Sequence, residues 1–247
     1  MDLQTFFTEN PRAAIAFSGG VDSAYLLYAA ARAGADVCAY YVQAEFQPAF
    51  ERRDAERLAR DVGARLRVLE VSALCAPGVR ENPPERCYFC KKAIFTAISA
   101  AAREDGHTLL LDGTNASDSA ADRPGMRALR ELSVRSPLRE CALTKAEIRE
   151  LSRAAGLFTW DKPAYACLAT RIPAGEVITP EKLAATERAE DYLFSLGFTD
   201  FRVRYAAGAA KIQLPAAQWA RIAENRTEIL NYLRQDYSAV TLDLEVR

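Results

Sequence analysis

Residues 18–23 read Ser18-Gly19-Gly20-Val21-Asp22-Ser23. The apolar run Ala13-Ala14-Ile15-Ala16-Phe17 precedes them, and Ala24-Tyr25-Leu26-Leu27-Tyr28-Ala29-Ala30 follows with helical character. A strand, a glycine turn and a helix start in that order make a phosphate cradle. Glycine tolerates positive φ and lets backbone come close to a ligand. Free N–H groups and the positive end of the helix dipole then face the anion. Ser18 and Ser23 add hydroxyl donors. The loop is not Gly-x-x-x-x-Gly-Lys-Ser/Thr, and no third glycine completes a dinucleotide fingerprint. An ordinary Gly-Gly turn between strand and helix is the plainer alternative.

Along the rest of the chain the same alternation recurs. Candidate strands are Ala13–Phe17, Val37–Val42, Leu66–Val71, Thr108–Leu111 and Val134–Pro137. Candidate helices are Ser23–Arg32, Ala49–Val62, Lys91–Arg103 and Lys145–Ala155, each followed by a glycine stop at Gly34, Gly63, Gly106 or Gly156. Thr144 and Glu147 form a capping box for the last of these helices. This alternation predicts an α/β fold with a parallel, doubly wound sheet covered on both faces. Ligands of such sheets bind at the carboxyl ends of the strands, and Ser18–Ser23 sits at that end of the first. The stretch Trp160–Thr179 is loop-rich, and the pattern then changes. Thr179-Pro180-Glu181 opens a helix reaching Leu196, with Gly197 as its stop. Phe201–Tyr205 and Lys211–Leu214 read as strands around the small-residue turn Ala206–Ala210. A helix then runs from Pro215 to about Leu233, and Val240–Val246 alternates as a final strand. Two domains are expected, 1–170 and a smaller α/β unit, 171–247.

The 247 residues are 50% hydrophobic and 26% charged, with a formal net charge of −1. That balance offers no global basic field for a nucleic-acid partner. No signal peptide or membrane span is visible, and a cytoplasmic location is expected. Six cysteines in such a chain are poor candidates for disulfides. Cys38 lies in an apolar strand and reads as core, and Cys75 and Cys141 read as bystanders. Cys87-Tyr88-Phe89-Cys90 places two sulfurs on one metal or one redox bond. Half a zinc site, a redox pair and a set of cluster ligands all remain open on that spacing. The single histidine, His107, is remote in sequence and reads as solvated in the turn before the fourth strand. Cys167 lies between Lys162 and Arg171, positive neighbours of the kind that favour thiolate; a buried interdomain thiol is the alternative.

Asp112-Gly113-Thr114-Asn115-Ala116-Ser117-Asp118 follows the strand ending at Leu111. Alone it reads as a turn. On the same sheet edge as Ser18–Ser23 it becomes a second candidate nucleotide loop.

Taken together, these motifs resemble the PP-loop ATP pyrophosphatases and, within them, the LarE family of ATP-dependent sulfur transferases. The resemblance covers nearly the whole chain. It rests on Ser18–Ser23, Asp112–Asn115, Cys167-Leu168-Ala169-Thr170-Arg171-Ile172-Pro173 and Arg202-Val203-Arg204. It implies ATP binding by Ser18, Gly19, Gly20, Val21, Asp22, Ser23, Gly113, Asn115 and Asp118; a Mg²⁺ on the phosphates is expected with it, and Asp22 is the candidate contact for that metal. It implies adenylylation of a pyridinium dicarboxylate mononucleotide and replacement of AMP by sulfur, for the nickel pincer cofactor of lactate racemase. The substrate phosphate needs cations: Arg202 and Arg204 alternate on a predicted strand and so point to one face, Arg171 lies near Cys167, and Glu190 is added by the resemblance; plain surface charges are the alternative. Members that sacrifice the cysteine matching Cys167 lack the Cys-x-x-Cys pair. Members with all three cysteines resemble cluster proteins, so Cys87, Cys90 and Cys167 are expected to hold a 4Fe–4S cluster fed by an external sulfur donor. A homo-oligomer is implied as well. A tRNA thiolase, an amide-forming PP-loop enzyme and an ATP-binding module with structural zinc are the rivals.

Overall fold

The computed structural model describes residues 1–118, 124–163 and 165–245. In chain order the first eleven elements are α1 (Leu3–Glu9), β1 (Arg12–Ala16), α2 (Val21–Arg32), β2 (Asp36–Gln43), α3 (Ala49–Val62), β3 (Arg65–Glu70), α4 (Arg86–Glu104), β4 (Leu110–Leu111), α5 (Pro124–Glu131), α6 (Pro137–Glu140) and α7 (Lys145–Ala154). Then come α8 (Pro180–Ser195), β5 (Arg202–Ala206), β6 (Ala209–Gln213), α9 (Trp219–Glu224), α10 (Arg226–Leu233) and β7 (Ala239–Leu242). The chain divides into two units. One holds Met1–Val79 and Glu85–Ala164; the other holds Arg80–Pro84 and Tyr165–Arg247. The short piece Arg80–Pro84 is tied into the second unit by backbone bonds from Ile178 N to Arg80 O (2.9 Å) and from Gly175 N to Asn82 O (2.8 Å).

In the first unit four strands pair in the order β3-β2-β1-β4, all parallel. The fold is therefore α/β, as the alternating pattern predicts. β2 is buried from Val37 to Val42 without alternation, the signature of a strand covered on both faces. Ile15, Leu26, Leu27, Ala39 and Leu58 are fully buried in the core between sheet and helices. α3 spans the residues its periodicity predicts and stops at Gly63, which takes φ +71°. The capping box of α7 is formed at both of its bonds.

Other expectations fail for local reasons. Val134–Pro137 is not a strand: Arg135 makes one isolated parallel bridge to Leu111. Pro137 has no N–H for a ladder and opens α6 instead. α4 starts at Arg86, ahead of Lys91, so the Cys-x-x-Cys pair is helical.

The second unit has the sheet order β5-β6-β7, with β5 and β6 an antiparallel hairpin and β7 parallel to β6. Leu193, Phe198, Phe201, Val203, Ile212 and Leu214 form its core. The helix expected over Pro215–Leu233 is interrupted. A 3-10 turn at Ala216–Gln218 leads into α9, and Asn225 separates α9 from α10. The Asn225 side chain donates back to Arg221 O at 2.8 Å, one of the local bonds by which Asn competes with helix. β7 ends at Leu242, and Val246 lies outside the described residues. Among the described residues no helix is long and apolar enough to cross a membrane.

Candidate active site

The loop after β1 is a closed ring of small groups. Gly19 takes φ +72°, and a Cβ there would meet Glu51 O at 3.3 Å. Gly20 caps α2 in extended backbone without a side-chain bond. Ser18 Oγ and Ser23 Oγ lie 3.1 Å apart, and the Ser23 hydroxyl donates to Gly20 O at 3.2 Å. The first turn of α2 thus opens onto the loop with its N–H groups and dipole end directed there, a geometry that can hold an anion. Val21 is buried and contributes backbone only.

The second loop packs on the start of α2 because Gly113 has no side chain. A Cβ at Gly113 would stand 2.9 Å from Ser23 N and 3.1 Å from Ser23 Cα. Contact this close between two backbones admits only glycine. The loop is held from within. Asp112 accepts from Ser136 Oγ at 2.6 Å and from Thr114 Oγ1, and Asn115 N donates to Asp118 Oδ2 at 3.0 Å. Asn115 Nδ2 then reaches Asp22 Oδ1 at 3.3 Å, so the two loops expected to share a nucleotide do meet.

Lys145, which the sequence reading passed over, closes this group. Its Nζ stands 2.6 Å from Asp22 Oδ2, while its backbone N donates to Ser117 Oγ at 2.9 Å. The signal was present: Lys145 is the first residue after the Thr144 cap, so the capping box that starts α7 also aims a lysine. Asp22 therefore carries Lys145 on one oxygen and Asn115 on the other.

Cys87 and Cys90 fall in the first turns of α4, three residues apart and so on one helical face. Cys87 is exposed, and Arg86 Nη2 lies 3.9 Å from its sulfur. A cavity of about 320 Å³ is lined by Cys87, Lys91, Thr114, Asp118 and Gly125. Cys87 thus opens beside the loop of Asp112–Asp118. Lys91 lines the same cavity, a placement that its sequence context does not announce. Two thiols on one helical face suit two positions of a cluster. Among the described residues, however, no group of three or more His, Cys, Asp or Glu side chains is gathered to hold a metal ion.

Cys167, Arg171, Glu190, Arg202 and Arg204 all belong to the second unit. Cys167 caps the 3-10 turn Leu168–Arg171. Arg171 and Glu190 are both about 1% exposed and are paired with each other, Nε to Oε1 and Nη2 to Oε2, both at 2.9 Å. Arg202 is buried, with its guanidinium carbon 5.6 Å from the centre of the Tyr165 ring, and Arg204 is exposed. Of the four residues expected at the substrate phosphate, only Arg204 faces solvent.

The remaining singled-out residues divide. Cys38 is buried, as expected, and burial pushes its thiol pKa up. Cys75 is exposed, and Cys141 packs half-buried at the rim of the core. His107 contradicts its expectation as a solvated residue. It is 1% exposed, edge-on to Tyr40 at 6.5 Å, with no hydrogen-bond partner on either ring nitrogen among the described residues. Desolvation pulls its pKa below the usual range. The turn after α4 folds it inward, which a polar local sequence does not announce.

No family model matches the chain. An uncharacterised protein of Synechocystis is 37% identical over 99% of this chain and 92% of its own length. The pyridinium-3,5-bisthiocarboxylic acid mononucleotide synthase of Lactiplantibacillus plantarum is 33% identical over 94% of this chain and 86% of its own. The glutamine-hydrolysing GMP synthase of Thermus thermophilus is 30% identical over 75% of this chain and 40% of its own, a likeness confined to part of that enzyme. With a glycine turn between β1 and α2 of a parallel sheet and a relative of this identity matched almost end to end, the chain belongs to the LarE family, that of the pyridinium-3,5-bisthiocarboxylic acid mononucleotide synthase.

Proposed function

We propose that this chain is an ATP-dependent, AMP-forming sulfur transferase. Its substrate is pyridinium-3,5-dicarboxylate mononucleotide, and its product serves the nickel pincer cofactor of lactate racemase. The observation that carries the reading is the joint cavity: the Cys87 thiol opens beside Thr114 and Asp118 of the loop that packs on the phosphate cradle. The named relative supports the substrate.

A carboxylate is a poor electrophile. Its oxygen attacks the α-phosphorus of ATP, pyrophosphate leaves, and an acyl-adenylate forms. A sulfur nucleophile then attacks the acyl carbon, AMP departs with the C–O electron pair, and a thiocarboxylate remains. The N–H groups of Ser18–Ser23 and the α2 dipole hold the leaving pyrophosphate. Lys145 and Asn115 orient Asp22, which would ligate a Mg²⁺ that supplies charge stabilisation for the phosphates. Arg204, with Arg202 behind it, meets the substrate phosphate. Sulfur comes from an external donor, and Cys87, Cys90 and Cys167 would be the thiolate ligands of a 4Fe–4S cluster. Such a cluster, when bound through three thiolates, supplies one iron open to an extra sulfide. The enzyme works in the cytoplasm as a homo-oligomer.

The test uses anaerobically purified protein with ATP, Mg²⁺, the mononucleotide and sulfide. AMP, pyrophosphate and thiolated product should appear together, with the protein mass unchanged and iron and labile sulfide present. Cys87→Ser should lose iron and turnover together. Zinc without iron, loss of sulfur from Cys167, or full transfer by Cys87→Ser would overturn the cluster route.

A further inference from the structure

Cys167 has a mount of its own. We infer that Arg171, Glu190 and Tyr165 are positioning residues that hold the Cys167 turn, and that none of them meets the substrate phosphate. The inference rests on the reading in which Cys167 handles sulfur; the mount itself is read directly from bonds within the second unit.

Arg171 is the hub. Its Nη1 donates to Ala166 O at 2.6 Å, to Cys167 O at 3.3 Å and to Thr170 Oγ1 at 3.1 Å. Its other two nitrogens donate the paired hydrogen bonds to Glu190. A planar guanidinium presents donors in a fixed fork, so fixing one edge on Glu190 aims the other at the carbonyls around Cys167. Glu190 is itself fixed. It accepts from Val203 N on β5 at 2.9 Å and from the Tyr165 hydroxyl. The Tyr165 ring lies under the guanidinium, with 4.6 Å from its centre to Arg171 Cζ. Cys167 O also accepts from Thr170 N at 2.9 Å and Thr170 Oγ1 at 2.8 Å. The turn that carries the thiol is thus tied to α8 and to β5 through one buried ion pair. A carboxylate and a guanidinium this enclosed have no face left for a ligand, and opening either would strand the other charge.

Three variants test the mount: Arg171→Lys, Glu190→Gln and Tyr165→Phe. Each is read by hydrogen exchange at the Thr170 and Ile172 amides, by the rate of iodoacetamide alkylation at Cys167, and by sulfur-transfer kinetics. Arg171→Lys keeps the charge and loses the fork. It should raise exchange and alkylation about tenfold and lower kcat about tenfold, with KM for the mononucleotide within about twofold. Glu190→Gln should act in the same direction, and Tyr165→Phe should show a smaller change of the same sign. A rise in KM with exchange and alkylation unchanged would overturn the inference and return Arg171 and Glu190 to the phosphate; no change in any readout would also overturn it. Should the Arg171 variant fail to fold, Tyr165→Phe decides alone, because it removes one hydroxyl and keeps the ring. If the wild-type protein transfers no sulfur, exchange and alkylation still decide the mount while the proposed function falls.

Discussion

Gly113→Ala isolates the junction between the two candidate nucleotide loops. Gly113 is outside the left-handed backbone region, so the new methyl brings no φ strain. Its whole cost is steric. The Cβ would sit 2.9 Å from Ser23 N, 3.1 Å from Ser23 Cα and 3.3 Å from Asp22 C. Relief to ordinary contact requires about half an ångström of movement. The atoms that must move are backbone at the start of α2, not the end of a flexible side chain. Overpacking of this kind costs about 1–3 kcal/mol, or roughly 2–12 °C of melting temperature in a chain this size. The same shift moves Ser23 and Asp22 against the phosphates, and misplacement of that order lowers kcat/KM for ATP about tenfold. Gly34→Ala is the control: Gly34 takes φ +73° with nothing within 4 Å of its Cβ, so it should lose about 1 kcal/mol to strain and nothing in ATP use. Thermal unfolding and pyrophosphate release read the two effects. A Gly113→Ala protein melting within a degree of wild type, with unchanged kcat/KM for ATP, would refute the close-approach argument.

Two further outcomes are expected. Lys145→Met should lower kcat/KM for ATP about tenfold, because Asp22 loses a charged partner at 2.6 Å in the phosphate cradle; unchanged ATP kinetics would remove Lys145 from the site. His107 has a folded pKa below its unfolded one, so the unfolded chain takes up its proton first on acidification. Stability should fall as pH drops from about 6.5 through the folded pKa, by no more than about 1.4 kcal/mol per pH unit from this group. His107→Phe should remove that part of the slope, and acid profiles of equal slope would show that the buried imidazole is not its source.

Sequence reading succeeded where a few neighbouring residues settle the matter. The apolar run before Ser18, the paired glycines and the serines define strand, turn and helix start within a dozen positions. Thr144 with Glu147, and Thr179 with Pro180, mark helix starts that the structure keeps. It failed where two weak local preferences compete. Val134–Pro137 is β-like by composition, yet one proline and a following helical turn decide it. The continuous periodicity after Pro215 hides the break that Asn225 makes.

The pattern of the chain alone therefore determined the α/β class, the glycine turn between β1 and α2 and the second loop beside it, because caps, glycine turns and hydrophobic periods act over short spans. Tertiary structure alone decided which distant groups meet. It placed Lys145 on Asp22 across 123 positions, opened Cys87 onto the Thr114 loop, buried His107, and turned Arg171 and Glu190 toward each other. Such partners are chosen by how helices dock on a sheet and by the need of every enclosed charge for an opposite one, and no local period encodes that.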